Sequence, residues 1–197
     1  TGVNDAPVAE NDVNAATEGA FDQVVEGNLL GNDTDIDNGA QLFVAFASPV
    51  GGEGGAIGGE PQAIYGQYGT LLLGADGSYS YSVYESSQSL AQLGQGEQAQ
   101  DQFSYTVSDG QGGFDTAVLS ITVTGTNQNP SAAPDGNAVV SEDAAPVALM
   151  IAAPTDGDAG DVLTALVTGL PSNGIVKLAD GTLVSDGAVL SVEQLTG

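Results

Sequence analysis

The sequence has no cysteine, histidine, arginine or tryptophan, and one lysine, Lys177. Each absence excludes something. Without cysteine there is no disulfide framework and no thiolate metal site. Without histidine or cysteine, the usual Ser-His and Cys-His nucleophile systems cannot be assembled. Without tryptophan, the strongest aromatic platform for a sugar ring is missing. With one basic residue against 26 acidic ones, almost no carboxylate can enter a protein salt bridge. The net charge of −25 opposes nucleic-acid phosphates and anionic membrane surfaces. The longest apolar run, residues 147–153, is far short of the ~20 residues that cross a bilayer. No nucleic-acid partner and no direct membrane insertion are therefore expected.

What is present argues for a folded β protein. Apolar residues make up 41% of the 197, too many for a charge-expanded disordered chain. The stretch 101–108 alternates strictly, with Phe103, Tyr105 and Val107 on one face and Gln102, Ser104 and Thr106 on the other. A glycine-rich turn at 109–113 leads to residues 116–124, where Ala117, Leu119, Ile121 and Val123 share a face. A second hairpin joins 70–73 to 78–83 through Ala75-Asp76-Gly77. Further strands are expected at 42–47 and 21–25. Residues 86–100 read as a long polar crossover with one helical turn, anchored by Leu90 and Leu93. Residues 51–59 hold six glycines and read as a mobile loop. Short strands separated by turn signals make an all-β sandwich.

The sequence also repeats. Thr1-Gly2-Val3-Asn4-Asp5-Ala6-Pro7 recurs as Thr124-Gly125-Thr126-Asn127-Gln128-Asn129-Pro130. Glu18, Asp35-Ile36-Asp37 and Ala75-Asp76-Gly77-Ser78 recur as Glu142, Asp156-Gly157-Asp158 and Ala179-Asp180-Gly181-Thr182. The expected organisation is a complete repeat over 1–127 and a truncated one over 128–197. In the second, strands are expected at 139–140, 147–151, 162–167, 175–178 and 183–190. It has no counterpart of the closing hairpin: either the segment simply ends there, or a neighbouring chain adds the missing strands. The opening resembles a linker, as in a piece of a longer parent.

The acidic motifs lie in turns. In Asn32-Asp33-Thr34-Asp35-Ile36-Asp37-Asn38-Gly39, alternate carboxylates can converge on one cation. Asn38 and Val44 stand where an EF-hand needs glycine and glutamate, so it is not that loop. Asp35, Asp37, Asp156 and Asp158 are candidate ligands, against a solvated acidic turn. Asn4 and Asp5 in the first linker, and Asn127 and Asn129 in the second, are candidates against plain Asx-Pro turns. Glu18 and Glu142 are candidates by their recurrence. Asp101, Asp109 and Asp115 flank the ends of the closing hairpin, where turn formation is at least as good a reading. Calcium suits oxygen-only ligands and would stiffen loops that lack disulfides. Gly51-Gly52-Glu53-Gly54-Gly55-Ala56 resembles a calcium-binding nonapeptide but lacks its aspartate and does not recur, so it is set aside. No catalytic residue is assigned, and the chain reads as non-enzymatic.

Residues 68–81, 101–117 and 121–127 together resemble the VCBS-type and bacterial cadherin-like repeats of large RTX-type adhesins. The resemblance implies an antiparallel Greek-key sandwich of the cadherin or immunoglobulin kind, in tandem. It also implies type I secretion, an extracellular place on the cell surface or in the biofilm matrix, and calcium at the joints between repeats. Asp35, Asp37, Asp156 and Asp158 would be ligands beside the preceding linker, with Glu18 and Glu142 in the place of the cadherin glutamate. Gln128 and Asn129 depart from the usual Asp and Ala. The expected partners are neighbouring repeats of the same chain. A binding module for an exopolysaccharide or for identical chains is the alternative, with Tyr65, Tyr68, Tyr79, Tyr81 and Tyr84 as candidate contacts. An acidic, salt-adapted surface without specific metal is the third reading.

Overall fold

Alternation sets the first sheet. The computed structural model describes residues 2–19, 24–84, 89–132, 136, 138–158 and 160–196. The chain divides into two units, Thr1–Asn127 and Gln128–Gly197. In the first, strands β1 (Asp12–Thr17), β2 (Val24–Asn28), β3 (Phe43–Pro49), β4 (Gly55–Ala56), β5 (Gln62–Tyr65), β6 (Gly69–Leu73), β7 (Ser78–Val83), β8 (Gln98–Ser108) and β9 (Phe114–Thr124) form two sheets. Their orders are β1-β9-β8-β3-β4 and β2-β7-β6-β5. Every pair is antiparallel except β1–β9, which is parallel and runs from Asp12 beside Leu119 to Thr17 beside Thr124. The expectation of an antiparallel sandwich thus fails at one pair. The first strand joins the last with the whole second sheet between them in sequence, which permits parallel pairing.

The core is the space between the sheets. Val44, Phe103, Tyr105, Val107, Leu119, Ile121 and Val123 face inward from the first, and Leu71, Leu73, Tyr79 and Tyr81 from the second. Tyr81 meets Phe103 edge-on across the gap, centroids 6.1 Å apart. Buried phenols need partners. Tyr79 Oη accepts from Asn14 Nδ2 at 2.9 Å. Tyr105 donates to Asp12 Oδ2 at 2.6 Å. Tyr81 donates to Asp101 Oδ2 at 2.7 Å.

Asp101 shares its face of β8 with Phe103, Tyr105 and Val107, and is 3% exposed. Its Oδ1 accepts from the Gln67 amide at 2.7 Å, and Oδ2 from the Tyr68 and Gly69 amides at 3.0 Å each. It bolts the β5–β6 turn to the opposite sheet. A Cβ at Gly66 would collide with this carboxylate, so glycine is required there.

The glycine-rich segment 51–59 is more ordered than the sequence indicates. β4 lies within it and pairs with Phe46 and Ala47, and Ile57 is buried. A Cβ at Gly54 would strike the Ala47 carbonyl, so glycine there permits close strand approach. The expected strand at 21–25 begins at Val24, and residues 21–23 lie outside the described residues. In the crossover, a single 3-10 turn spans Leu90–Gln92, and Leu90 and Leu93 are buried; residues 86–88 are also outside the described residues.

The second unit is sparser. β10 (Thr164–Leu166) pairs with β11 (Val189–Ser191), followed by α1 (Val192–Thr196). Residues 139–140 and 147–151 form no strand, and Val139, Val147, Leu149 and Met150 are exposed. The expected strands at 175–178 and 183–190 reduce to the Lys177–Leu183 bridge and β11. Among the described residues, the unit supplies no facing sheet against which these side chains could pack, and only Leu190 among its apolar residues is buried.

Removing the Asp101 bolt should be costly. Asp101→Ala leaves four donors unanswered and is expected to destabilise by about 3 kcal/mol, against about 1 kcal/mol for Tyr81→Phe. Urea denaturation checks both, and an Asp101→Ala cost no larger than that of Tyr81→Phe would refute the assignment.

Candidate functional site: paired acidic loops

In the first unit, the entering segment lies across two acidic loops. Val8 and Thr34 exchange backbone hydrogen bonds of 2.8 and 3.0 Å. The Asp5 amide donates to Asp37 Oδ2 at 2.8 Å, and the Asp37 amide to Asp35 Oδ1 at 2.8 Å. Asp35 Oδ2 is buried and has no hydrogen-bond partner. Asn4 Nδ2 donates to Asp109 Oδ2 at 2.7 Å, while Asp109 Oδ1 accepts from the Gln111 and Gly113 amides. Asn4, Asp5, Asp35, Asp37 and Asp109 are thus linked through the entering segment.

The second unit reproduces the arrangement. Ser131 and Thr155 exchange backbone bonds of 2.7 and 3.0 Å. The Gln128 amide donates to Asp158 Oδ2 at 2.6 Å, and the Asp158 amide to Asp156 Oδ1 at 2.9 Å. Asp156 Oδ2 and Asp158 Oδ1 are buried without hydrogen-bond partners. Gln128 stands where the first unit has Asp5. Because both contribute a backbone amide, the side-chain difference leaves this bond intact.

Two other turns also agree between the units. The Ala75-Asp76-Gly77-Ser78 turn has Gly77 at φ 79° and Asp76 Oδ1 accepting from the Ser78 amide. Ala179-Asp180-Gly181-Thr182 has Gly181 at φ 88° and Asp180 Oδ1 accepting from the Thr182 amide. After Glu18 and Glu142, Gly19 and Asp143 adopt φ of 69° and 61°. The two glutamates differ in setting. Glu18 is buried and accepts from the Thr126 amide at 3.1 Å, whereas Glu142 is exposed. Asn127 and Asn129 are exposed.

One carboxylate cluster among the described residues has the spacing of a metal site. Asp156, Asp158 and Asp161 each place an oxygen within 4.8 Å of the others. Asp158 is 6% exposed, so its unpartnered oxygen is costly unless a cation meets it. The residues fit a hard, oxygen-seeking divalent cation of the calcium kind. Sequence reading did not select Asp161; its position three residues beyond Asp158 was the available signal. Asp101 has another employment, since both of its oxygens are taken by N–H and O–H donors.

A second group was visible in the sequence only in part, through Asp33 of the acidic loop and Asp115 of the closing hairpin. Asp33 Oδ1 accepts from the Glu10 amide at 2.8 Å and its Oδ2 is buried without a partner. Burial, then the charges of Asp12, Asp115 and Glu10, push its pKa up against the pull of the Glu10 amide. Burial likewise raises Asp12, opposed by hydrogen bonds from Tyr105 and Asn32. Asp109 and Asp115 lie below the usual carboxylate value, held chiefly by Asn4 and by the Ala9 amide respectively. No local pattern announced this group, because the β1–β9 pairing and the Val8–Thr34 bridge assemble it.

Fold and loops together define a β-sandwich module with carboxylate-lined turns. Residues 4–125 match the bacterial cadherin-like domain, and the chain belongs to that family. Over 168 residues, 82% of the chain, it is 33% identical to the calcium-binding lectin RapA2 of Rhizobium johnstonii, of which it spans 62%.

The carboxylates predict opposite responses to acid in chelator-treated protein. A raised folded pKa means protons bind the folded state first, so stability should increase as pH falls through the raised values of Asp12 and Asp33 towards 3.8. A lowered one reverses the sign, so the contributions of Asp109 and Asp115 are lost below 3.8. Melting temperature against pH should pass through a maximum on the acid side of neutrality. Asn4→Ala should flatten the fall below it.

Proposed function

We propose that this chain is a calcium-binding, non-catalytic module of a bacterial surface adhesin. Calcium at the Asp-x-Asp loops pins the segment entering each unit and so stiffens the chain. The carrying observation is the congruence of the two loops, each with a buried oxygen that the protein leaves unanswered (Asp35 Oδ2 and Asp156 Oδ2). Family membership and the name of the RapA2 relative support the reading. An extracellular setting is part of this reading, and calcium near a millimolar would be enough to fill even weak sites of about 10⁻⁴ to 10⁻³ M. The truncated-repeat reading of 128–197 also belongs here; the shared turns support it.

A second reading, carbohydrate binding, is favoured by one observation. Tyr79 and Tyr81 are core residues, but Tyr65 is 68% exposed. A lectin relative is consistent with it.

Calorimetric calcium titration with melting in calcium, magnesium and chelator tests the main reading. For a site of about 10⁻⁴ M, 1 mM calcium should add about 1.4 kcal/mol and raise the melting temperature reversibly. Magnesium should do less, because it dehydrates reluctantly and demands octahedral geometry. Asp158→Asn should remove one binding event. Equal responses to both metals, with no stoichiometric heat, would refute it.

A further inference from the structure

Two adjoining hollows of about 220 and 330 Å³ open on one side of the first unit. The Pro49 and Tyr65 side chains border both. One lies against the β4 segment; the other is bounded by Val50, Gly51 and Gly52 and by the Gly66-Gln67 turn. Tyr65 ends β5, an edge strand that among the described residues pairs with β6 alone. Its neighbour Ile64 is buried, which turns the Tyr65 ring outward by strand alternation.

Around this ring the side towards Gly66-Gln67 is mainly polar and the side towards β4 is lined mainly by apolar residues such as Ala56 and Ile57. Gln62, Gln67, Gln100 and Gln102 border the hollows. Gln102 donates to Ser120 and Gln62 to the Glu60 carbonyl. Among the described residues the side-chain amides of Gln67 and Gln100 have no protein partner. Such a carboxamide both donates and accepts, as a sugar hydroxyl does. The floor carboxylate, Asp101, is spent on its four donors, which leaves Glu53 as the other acid. No Lys or Arg occurs within residues 1–127.

We infer that the Tyr65 groove is a metal-independent binding site for a neutral saccharide unit, stacked on Tyr65 and hydrogen-bonded by Gln67 and Gln100. This rests on the carbohydrate-binding reading and adds the place and the sugar class. An anionic sugar finds no cation here, Asp101 is committed, and Glu53 alone falls far short of the roughly six to eight oxygens a calcium ion takes. The groove is therefore chemically separate from the Asp-x-Asp loops.

The test uses the whole chain, isotopically labelled, with neutral oligosaccharide probes (cellotetraose, maltotetraose and a β-galactotetraose) and tetragalacturonate, each in calcium and in chelator. The expected result is a neutral probe that shifts the amides of Gly51, Gly52, Gly66 and Gln67 equally in both conditions. Tyr65→Ala should weaken it about tenfold while Tyr65→Phe retains it, since the ring supplies the stacking. Both variants are surface changes, and an unchanged spectrum elsewhere verifies their fold. Neutral binding undiminished in Tyr65→Ala overturns the site and leaves the carbohydrate reading standing. Binding of tetragalacturonate alone, and only in calcium, overturns the sugar class and the metal independence. No binding by any probe at millimolar concentration overturns the carbohydrate reading and the site with it.

Discussion

A carboxylate in this protein has almost no cation to meet, and the structure depends on that constraint. Dipoles answer instead. Asp101 takes three backbone amides and a phenol, Asp109 takes two amides and the Asn4 side chain, and Asp115 takes the Ala9 and Thr116 amides. Each such carboxylate ties together segments distant in sequence, so acidic residues take over the fastening work that disulfides do elsewhere. Charge-assisted hydrogen bonds are about twice as strong as neutral ones, which suits them to this task.

Dipoles hold individual carboxylates without changing the sum of charge, and at a few positions they do not reach. Asp33, Asp35, Asp156 and Asp158 each keep one buried oxygen with no hydrogen-bond partner. All four lie in the turns that receive an entering chain segment. The same loops thus combine unanswered buried oxygens with the backbone contacts that orient that segment. Cation binding there would answer those oxygens and fix the orientation in one event.

The sequence made the sandwich legible where inner faces were apolar. The β8–β9 and β6–β7 hairpins follow directly from alternation through Phe103, Tyr105 and Val107 and through Tyr79 and Tyr81. β1 was not legible, because its inward face is Asp12, Asn14 and Ala16. Its polar side chains are half-buried and bonded to phenols contributed from other strands, a pairing no local pattern reveals. The parity of Asp101 with Phe103 marks it as an inward carboxylate, whereas its acidity alone is equally compatible with a metal ligand. The Asp-x-Asp loops were visible through recurrence, while the Asp12–Asp33–Asp115 group exists only after folding. In the second unit, apolar runs promised strands that have no facing sheet to complete them.

The parallel pairing of β1 with β9 has a mechanical consequence. The chain enters the first unit beside the start of β9 and leaves at its end, so tension drawn through the chain pulls these neighbours in opposite directions along their length. Their ladder, six residues from Asp12 to Thr17, is then loaded in shear. Shear makes the whole ladder yield together, where peeling would open one rung at a time. A first strand with a single buried apolar residue, Ala16, therefore serves as a tensile seam whose resistance comes chiefly from the backbone.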